Sequence, residues 1–339
     1  MPCIGQKVGE YVLEERVGKG AFGEVWRARH HVWSDRIAAV KIPTDTRYVA
    51  NLRREGQAVY HLEHPNIVRP LGLDPYADPP YLVMEYVPGT SLRPLIQNRS
   101  LSVDDAVAIM RQVLEGLGFA HECGLVHRDI KPENILIHER AAREGYGAEG
   151  VVKLTDFGMG SAPVSNTQSI VLSMSMEDAG ALSIAGTLDY MAPEQRHGGT
   201  IDARADLYAC GVVLYEMLTG ERPAGTDVPS DLNGQVPRYL DEVFRRSYAR
   251  LETRFRSARE FLDALRGPAT AVAQRPAARP AMVNCPNCHA LVDAEDQFCM
   301  YCGLQLREVL RCLNCGAYPL PGDSYCMRCG QRLNPQAVA

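Results

Sequence analysis

The sequence predicts an α+β protein of two lobes with a cleft between them, followed by a small cysteine-rich tail. Three observations carry this. Residues 11–42 alternate as strands do, helical periodicity dominates after Leu92, and eight of the eleven cysteines fall after residue 284 as four Cys-x-x-Cys pairs. At 339 residues, 46% hydrophobic and 23% charged, the chain has the composition of a soluble globular protein and the length for about two domains.

Tyr11-Val12-Leu13, Val25-Trp26-Arg27-Ala28 and Ala38-Ala39-Val40-Lys41-Ile42 read as successive strands. A charged helical pattern follows at about 48–62, and Tyr81-Leu82-Val83-Met84-Glu85 is a further strand. Over 103–123, Val107, Met110, Val113, Leu114 and Leu117 recur at helical spacing. Residues 205–218 are apolar almost all round, which predicts a helix buried on every side. Residues 240–249 and 258–265 read as closing helices. Pro and Ala recur without period over 267–283, the mark of a linker. Residues 284–334 hold an internal repeat, with ten residues between the two cysteine pairs in each copy. Cys123 and Cys210 lie in apolar helical contexts and are expected to be small core residues.

The net charge of −5 speaks against bulk binding to nucleic acid or an anionic membrane. No apolar run approaches the ~20 residues that span a bilayer, and the first ten residues lack a signal peptide's apolar core. A cytoplasmic location with no membrane partner is the expectation. There, paired cysteines read as metal ligands before disulfides.

The chemistry is concentrated in two runs, His127-Arg128-Asp129-Ile130-Lys131-Pro132-Glu133-Asn134 and Asp156-Phe157-Gly158. They place a carboxylate base, a phosphate-facing lysine and two oxygen ligands on neighbouring loops. Moving a phosphoryl group from ATP to a hydroxyl requires that set. Gly18-Lys19-Gly20-Ala21-Phe22-Gly23-Glu24-Val25 offers backbone N–H groups to phosphate oxygens where a Cβ would clash. A dinucleotide site would need a helix after such glycines. A strand follows instead, which favours a hairpin lid over ATP. Lys41 stands in an apolar strand at a spacing from those glycines that lets it hold the α- and β-phosphates. Asn134 and Asp156 supply hard oxygen ligands, suited to Mg²⁺ or Mn²⁺.

Together these runs resemble the eukaryotic-like Ser/Thr protein kinases of bacteria, over residues 8–266. The resemblance implies the bilobal protein-kinase fold, with an antiparallel-sheet N-lobe at about 8–87 and a helical C-lobe at about 88–266. It implies ATP as cofactor and protein serines and threonines as acceptors. Gly18, Gly20, Gly23 and Val25 would cover the nucleotide. Glu55, nine residues before His64-Pro65-Asn66, would pair with Lys41. Leu82 to Val87 would be the hinge, with Met84 as gatekeeper and the backbone of Glu85 and Val87 bonding adenine. Asp129 would accept or orient the acceptor proton, and Lys131 would neutralise the γ-phosphate. Gly186 to Glu194 would end the activation loop, with Thr187 bonding Asp129 or Lys131. Glu194 would pair with Arg254, and Asp206 would anchor the catalytic loop. Arg128 implies control by phosphorylation, and the hydroxyl-rich stretch 159–185 is expected to autophosphorylate at Ser173, Ser175 or Ser183. Two segments depart from the family. Residues 138–150 are longer and read as a solvated loop. Residues 221–237 are short where a fuller helix often docks protein substrates.

The tail at 284–334 resembles a double zinc ribbon. Cys285, Cys288, Cys299 and Cys302 would hold one Zn²⁺, and Cys312, Cys315, Cys326 and Cys329 a second. Interleaved pairing satisfies the same spacing. Gly303, Gly316 and Gly330 follow three of the pairs, and His289, read as a surface residue, follows the first. Arg307, Arg311, Arg328 and Arg332 face five acidic residues in the tail, so no basic face for nucleic acid is expected. Protein partners are. The alternative reading of the whole chain is a nucleotide-binding pseudokinase scaffold whose ribbons assemble such partners.

Overall fold

The computed structural model describes residues 2–20, 23–45, 48–157, 188–267, 282–293, 299, 301–304, 306, 314–315 and 331–332. The chain divides into two compact units, Met1–Pro268 and Ala269–Ala339. The first begins with β1 (Lys7–Val8), β2 (Tyr11–Lys19), β3 (Gly23–His30) and β4 (Ile37–Pro43). Helix α1 (Val49–Val59), β5 (Pro70–Asp74) and β6 (Tyr81–Glu85) follow. The described strands form an antiparallel sheet in the order β1-β2-β3-β4-β6-β5.

The two-residue period of a strand decides what each face carries. Leu13, Trp26, Ala28, Val40 and Ile42 pack together on one face. Ala39, Leu82 and Met84 turn to the other, where they meet Leu52 of α1. Lys41 shares the parity of Ala39, so the alternation itself aims it toward α1.

The remainder of this unit holds β7 (Gly89–Ser91), α2 (Leu92–Gln97), α3 (Val103–Glu122), a 3₁₀ turn at Pro132–Asn134, β8 (Ile135–His138), α4 (Ala141–Glu144) and β9 (Val152–Leu154). Beyond the activation stretch lie α5 (Pro193–Arg196), α6 (Ala203–Thr219), α7 (Pro229–Leu232), α8 (Arg238–Ser247) and α9 (Ala258–Ala264). Helix α3 opens on a capping box. Ser102 Oγ accepts from the Asp105 N–H at 3.1 Å, and Asp105 accepts from the Ser102 N–H at 3.0 Å. Helix α6 is buried at every position from Ala205 to Thr219, as its all-round apolar sequence requires. Among the described residues, no helix is long and apolar enough to cross a membrane.

Strands β7, β8 and β9 form a small antiparallel sheet in that order. At three or four residues each they are too short to show a period in the sequence.

Two expectations are corrected. Residues 138–150 are not a plain solvated loop. They contain α4, Ala141 is buried, and the carbonyls of Tyr146 and Ala148 accept from Gln112 Nε2 at 2.6 and 3.0 Å. Gln112 is a buried amide in the middle of α3, and a buried amide must find partners. Cys123 is exposed, not core. It caps α3 after the apolar stripe has ended at Ala120. Cys210 is buried on α6 as expected, and burial pushes its thiol up.

Arg254 is buried, and it closes the C-terminal side. Its guanidinium meets Glu194 of α5 at 2.7 and 3.2 Å and the carbonyls of Arg204 and Ala249 at 2.8 and 3.1 Å. Truncating Glu194 to Ala leaves that charge without its counter-ion. We expect a loss of about 3–5 kcal/mol, near the low end because the carbonyls remain. Urea unfolding checks it, and a midpoint shift equivalent to under ~1 kcal/mol would exclude this role for the pair.

The second unit opens on a hairpin of β10 (Met282–Asn284) and β11 (Leu291–Asp293). Among its described residues the buried set is Cys285, Val292 and Cys299, with Leu304 and Leu306 partly buried against them.

Candidate active site and metal centre

Lys41 on β4 and Glu55 on α1 face each other because both follow the periodicity of their elements. Lys41 Nζ lies 2.9 and 2.8 Å from the two Glu55 oxygens and 2.7 Å from Asp156 Oδ1. One ammonium therefore bridges two carboxylates from separate elements. Burial alone would lower the Lys41 ammonium, but Asp156 and Glu55 outweigh it and hold it raised. Burial likewise would raise Asp156, but Lys41 outweighs it and holds the carboxyl below its usual range. Burial pushes Glu55 up, Asp156 adds to that, and Lys41 opposes both, which leaves Glu55 raised to about 7.

The loop 127–134 is fixed from behind. Asp206 on α6 accepts from the backbone N–H of His127 at 2.9 Å and of Arg128 at 2.7 Å, and its carboxylate also meets His121 Nε2 at 2.8 Å. His127 Nε2 donates to the Thr155 carbonyl at 3.0 Å, and its ring packs on Phe157 with centroids 4.4 Å apart. Arg128 and Asp156 both have φ of +66°. For residues with side chains this left-handed geometry is costly, and it persists where the surroundings dictate it. Here the Asp206 bonds and the Lys41 pair do so.

The Asp129 carboxylate meets Lys131 Nζ at 2.9 and 3.1 Å and accepts from Asn134 Nδ2 at 3.0 Å. The same Asn134 amide donates to the Asp129 carbonyl at 2.8 Å, which leaves Asn134 Oδ1 as its acceptor end. That oxygen and the Asp156 carboxylate make a hard donor set that fits Mg²⁺ or Mn²⁺.

Of the three loop glycines, Gly23 is dictated by packing. A Cβ there would sit 2.6 Å from the Ile42 carbonyl oxygen of β4. Among the described residues, no atom comes within 3.5 Å of such a Cβ at Gly18 or Gly20. Val25 sits on the α1 side of the sheet, packed with Ala39 and Leu82. Met84 is buried on β6. The Glu85 N–H is already taken by the Arg69 carbonyl at 2.8 Å, so only its carbonyl is left to offer a base. Thr187 and the serines 173, 175 and 183 lie outside the described residues.

In the tail, Cys285, Cys288, Cys299 and Cys302 converge, with one sulfur of each within 4.8 Å of the others. Cys285 and Cys302 sulfurs are 3.6 Å apart, and those of Cys288 and Cys299 3.5 Å. A tetrahedral Zn²⁺ with bonds of about 2.3 Å spaces its sulfurs about 3.8 Å apart, so the four thiols fit that ion. Cys285 and Cys299 each accept a turn N–H on their carbonyls, from His289 at 2.9 Å and Gly303 at 2.8 Å. Both donors have positive φ, +60° and +72°. The exposed His289 thus takes the backbone place of a glycine, and the four cysteines form a group that could hold a metal ion. Cys315 lies among the described residues, and Cys312, Cys326 and Cys329 lie outside them.

A knot of charges beside the loop 127–134 is absent from the expectations drawn from sequence. Arg93 on α2 reaches Glu133 at 2.7 Å, Glu216 at 2.6 Å and the Tyr190 hydroxyl at 2.6 Å. Tyr190 in turn donates to Glu216 at 2.5 Å. Arg222 pairs with Asp189 and lies over the Tyr190 ring, 5.4 Å from its centroid. Burial pushes the Tyr190 hydroxyl up, and the Glu216 bond adds to it. One signal was available for this knot: Glu216 is, with Asp206, one of two acids in the otherwise apolar run 205–218.

Residues 11–283 match the protein kinase domain family, and residues 285–330 match the double zinc ribbon family. A probable serine/threonine-protein kinase PknB of Bifidobacterium longum is 35% identical over 288 residues, covering 75% of this chain and 39% of that protein. The serine/threonine-protein kinase PrkC of Bacillus subtilis is 36% identical over 227 residues, 65% of this chain and 32% of that one. The serine/threonine-protein kinase PknB of Mycobacterium tuberculosis is 33% identical over 228 residues, 65% and 34% respectively. The chain thus spans well under half the length of these relatives.

Proposed function

The chain belongs to the protein kinase family, and from that premise we propose that it transfers the γ-phosphate of ATP to serine and threonine hydroxyls of proteins. The observation that carries this is the Lys41 ammonium held between Glu55 and Asp156, within reach of a loop whose carboxylate is itself pinned by Lys131 and Asn134.

The residues divide the work. Lys41 grips the α- and β-phosphates, and Glu55 fixes its direction. Gly18 and Gly20 bring the backbone close over the nucleotide, with Val25 against it. The Glu85 carbonyl and the Val87 backbone receive adenine at the hinge. Asn134 Oδ1 and Asp156 hold Mg²⁺ or Mn²⁺, which when bound neutralises charge on the phosphate oxygens. Asp129 orients the acceptor hydroxyl and takes its proton, Lys131 faces the γ-phosphate, and Thr187 supports that pair. Activation-stretch autophosphorylation belongs to the same reading, as do two structural Zn²⁺ ions, protein partners for the ribbons and a cytoplasmic location. Labelled ATP with Mg²⁺ should label the full zinc-loaded chain or a panel of Ser/Thr peptides, and Lys41→Met should abolish it. Material that binds ATP yet labels no acceptor, itself included, would sink the proposal.

Glu55 gives this activity a pH signature. Its ionised form orients Lys41, so kcat/KM for ATP should rise with pH through about 7. Glu55→Gln should flatten that limb, and an unchanged limb would assign it to another group. Stability runs the opposite way. A carboxyl raised in the fold above its ordinary 4.5 favours the fold while protonated, so its contribution is full below about 4.5 and fades as pH rises through about 7.

A further inference from the structure

The Arg93 knot lies beside the loop that carries Asp129. Glu133 stands four residues after Asp129 on the same loop. Tyr190 and Met191 share a small pocket with Asp129 and Ile130, and Gln195 Nε2 donates to the Arg128 carbonyl at 3.0 Å. The knot is not sealed into the core. The side chains of Glu133, Asp189 and Arg222 are 48%, 44% and 41% exposed, whereas Glu216 is 6% exposed beneath them. A chain presenting a hydroxyl to Asp129 therefore runs over a surface holding three carboxylates, Glu133, Asp189 and Glu216. Left alone, they would attract arginine or lysine in the acceptor. They are not left alone. Arg93 satisfies Glu133 and Glu216 from inside the molecule, and Arg222 pairs with Asp189 and lies 3.8 Å from Glu216 as well.

We propose that Arg93 is a specificity-determining residue that occupies the acidic face beside the base, so that the enzyme gains nothing from a basic residue next to the acceptor serine or threonine. This rests on the phosphotransferase reading above and adds a substrate class to it. A basic acceptor side chain gains nothing here, because the carboxylates it would pair with are already engaged. It also meets the positive charge of Arg93 itself. Removing the Arg93 guanidinium leaves the half-open Glu133 carboxylate without that counter-ion, whereas Glu216 keeps the Tyr190 hydroxyl and Arg222, so Glu133 is the group that recruits a cation.

The test is a positional array of serine and threonine peptides phosphorylated by the full chain, with autophosphorylation followed in parallel. For the unaltered protein, arginine or lysine at any single position should change the rate by less than about threefold, the worth of a screened surface pair. Arg93→Gln should acquire a preference for arginine or lysine at one position of about tenfold, the worth of one charge-assisted bond. Adding Glu133→Gln to that variant should reduce the preference, whereas Arg93→Lys should stay close to the unaltered protein. A structural role alone would move rates without creating a positional preference. The unaltered protein already selecting a basic residue overturns the proposal whether or not any variant folds. So does an Arg93→Gln variant that phosphorylates with a flat array. No transfer at all, to peptides or to itself, overturns the phosphotransferase reading and this proposal with it, and autophosphorylation tells the two failures apart.

Discussion

Asp129→Asn is expected to slow phosphoryl transfer by about 10²–10⁴-fold while nucleotide binding persists. Asparagine keeps the shape of the side chain. It loses the charge that holds Lys131 at 2.9 Å and the basic oxygen that would take the acceptor proton. Asn134 stays in place through its second bond, to the Asp129 carbonyl at 2.8 Å, so the metal-facing oxygen is kept. Lys41, Glu55 and Asp156 do not touch Asp129 through any bond described above, so affinity for Mg·ATP should hold. Phosphoryl transfer depends on positioning more than on covalent help. Much of the loss therefore comes from a misaligned hydroxyl, and it should fall on kcat with little change in KM for ATP. Single-turnover transfer and a nucleotide titration on the same preparation separate these. A variant within tenfold of the unaltered rate would show that Asp129 neither takes nor orients the proton.

What could be read in the sequence was what lies close together along it. Asp129, Lys131 and Asn134 fall within six residues, so their spacing alone announces the cluster that the fold assembles. Strand alternation gave Lys41 its face, and the all-round apolar run of α6 gave its burial. The Lys41–Glu55 geometry was reached through resemblance, because no local pattern selects Glu55 from the other charges of its helix. What stayed hidden depends on contacts between distant segments. Arg93, Glu133, Tyr190, Glu216 and Arg222 come from five places in the chain, and each alone reads as an ordinary polar residue. Gln112 belongs to the same class: a lone amide in an apolar helix, it ties down Tyr146 and Ala148 more than thirty residues on, in a segment whose charges and glycines read as solvated. Cys123 erred in the other direction. Its neighbours are apolar, but the helix ends there and leaves it outside.

Removing metal from the tail should unfold residues 282–306 and leave Met1–Pro268 folded. Among the described residues of that segment the buried apolar set is Val292, with Leu304 and Leu306 half covered beside the two buried cysteines. A fully buried aliphatic side chain contributes about 1.5–3 kcal/mol, whereas ordering each residue costs about 1–2 kcal/mol of backbone entropy. Such a core cannot offset the ordering of its own hairpin and turns. The shortfall is met where four sulfurs converge within 4.8 Å. A bound Zn²⁺ would contribute on the order of 10 kcal/mol per site, and without it the sulfurs take up protons and that contribution is lost. Chelation, or Cys285→Ser, should therefore release the protected amides of Val292, His289 and Gly303 to hydrogen exchange. The kinase unit has its own core and divides from the tail at 268, so its melting should not move. Protection that survives chelation would mean the tail folds on apolar packing alone. A kinase unit that melts earlier after chelation would mean the tail's metal stabilises the catalytic fold as well.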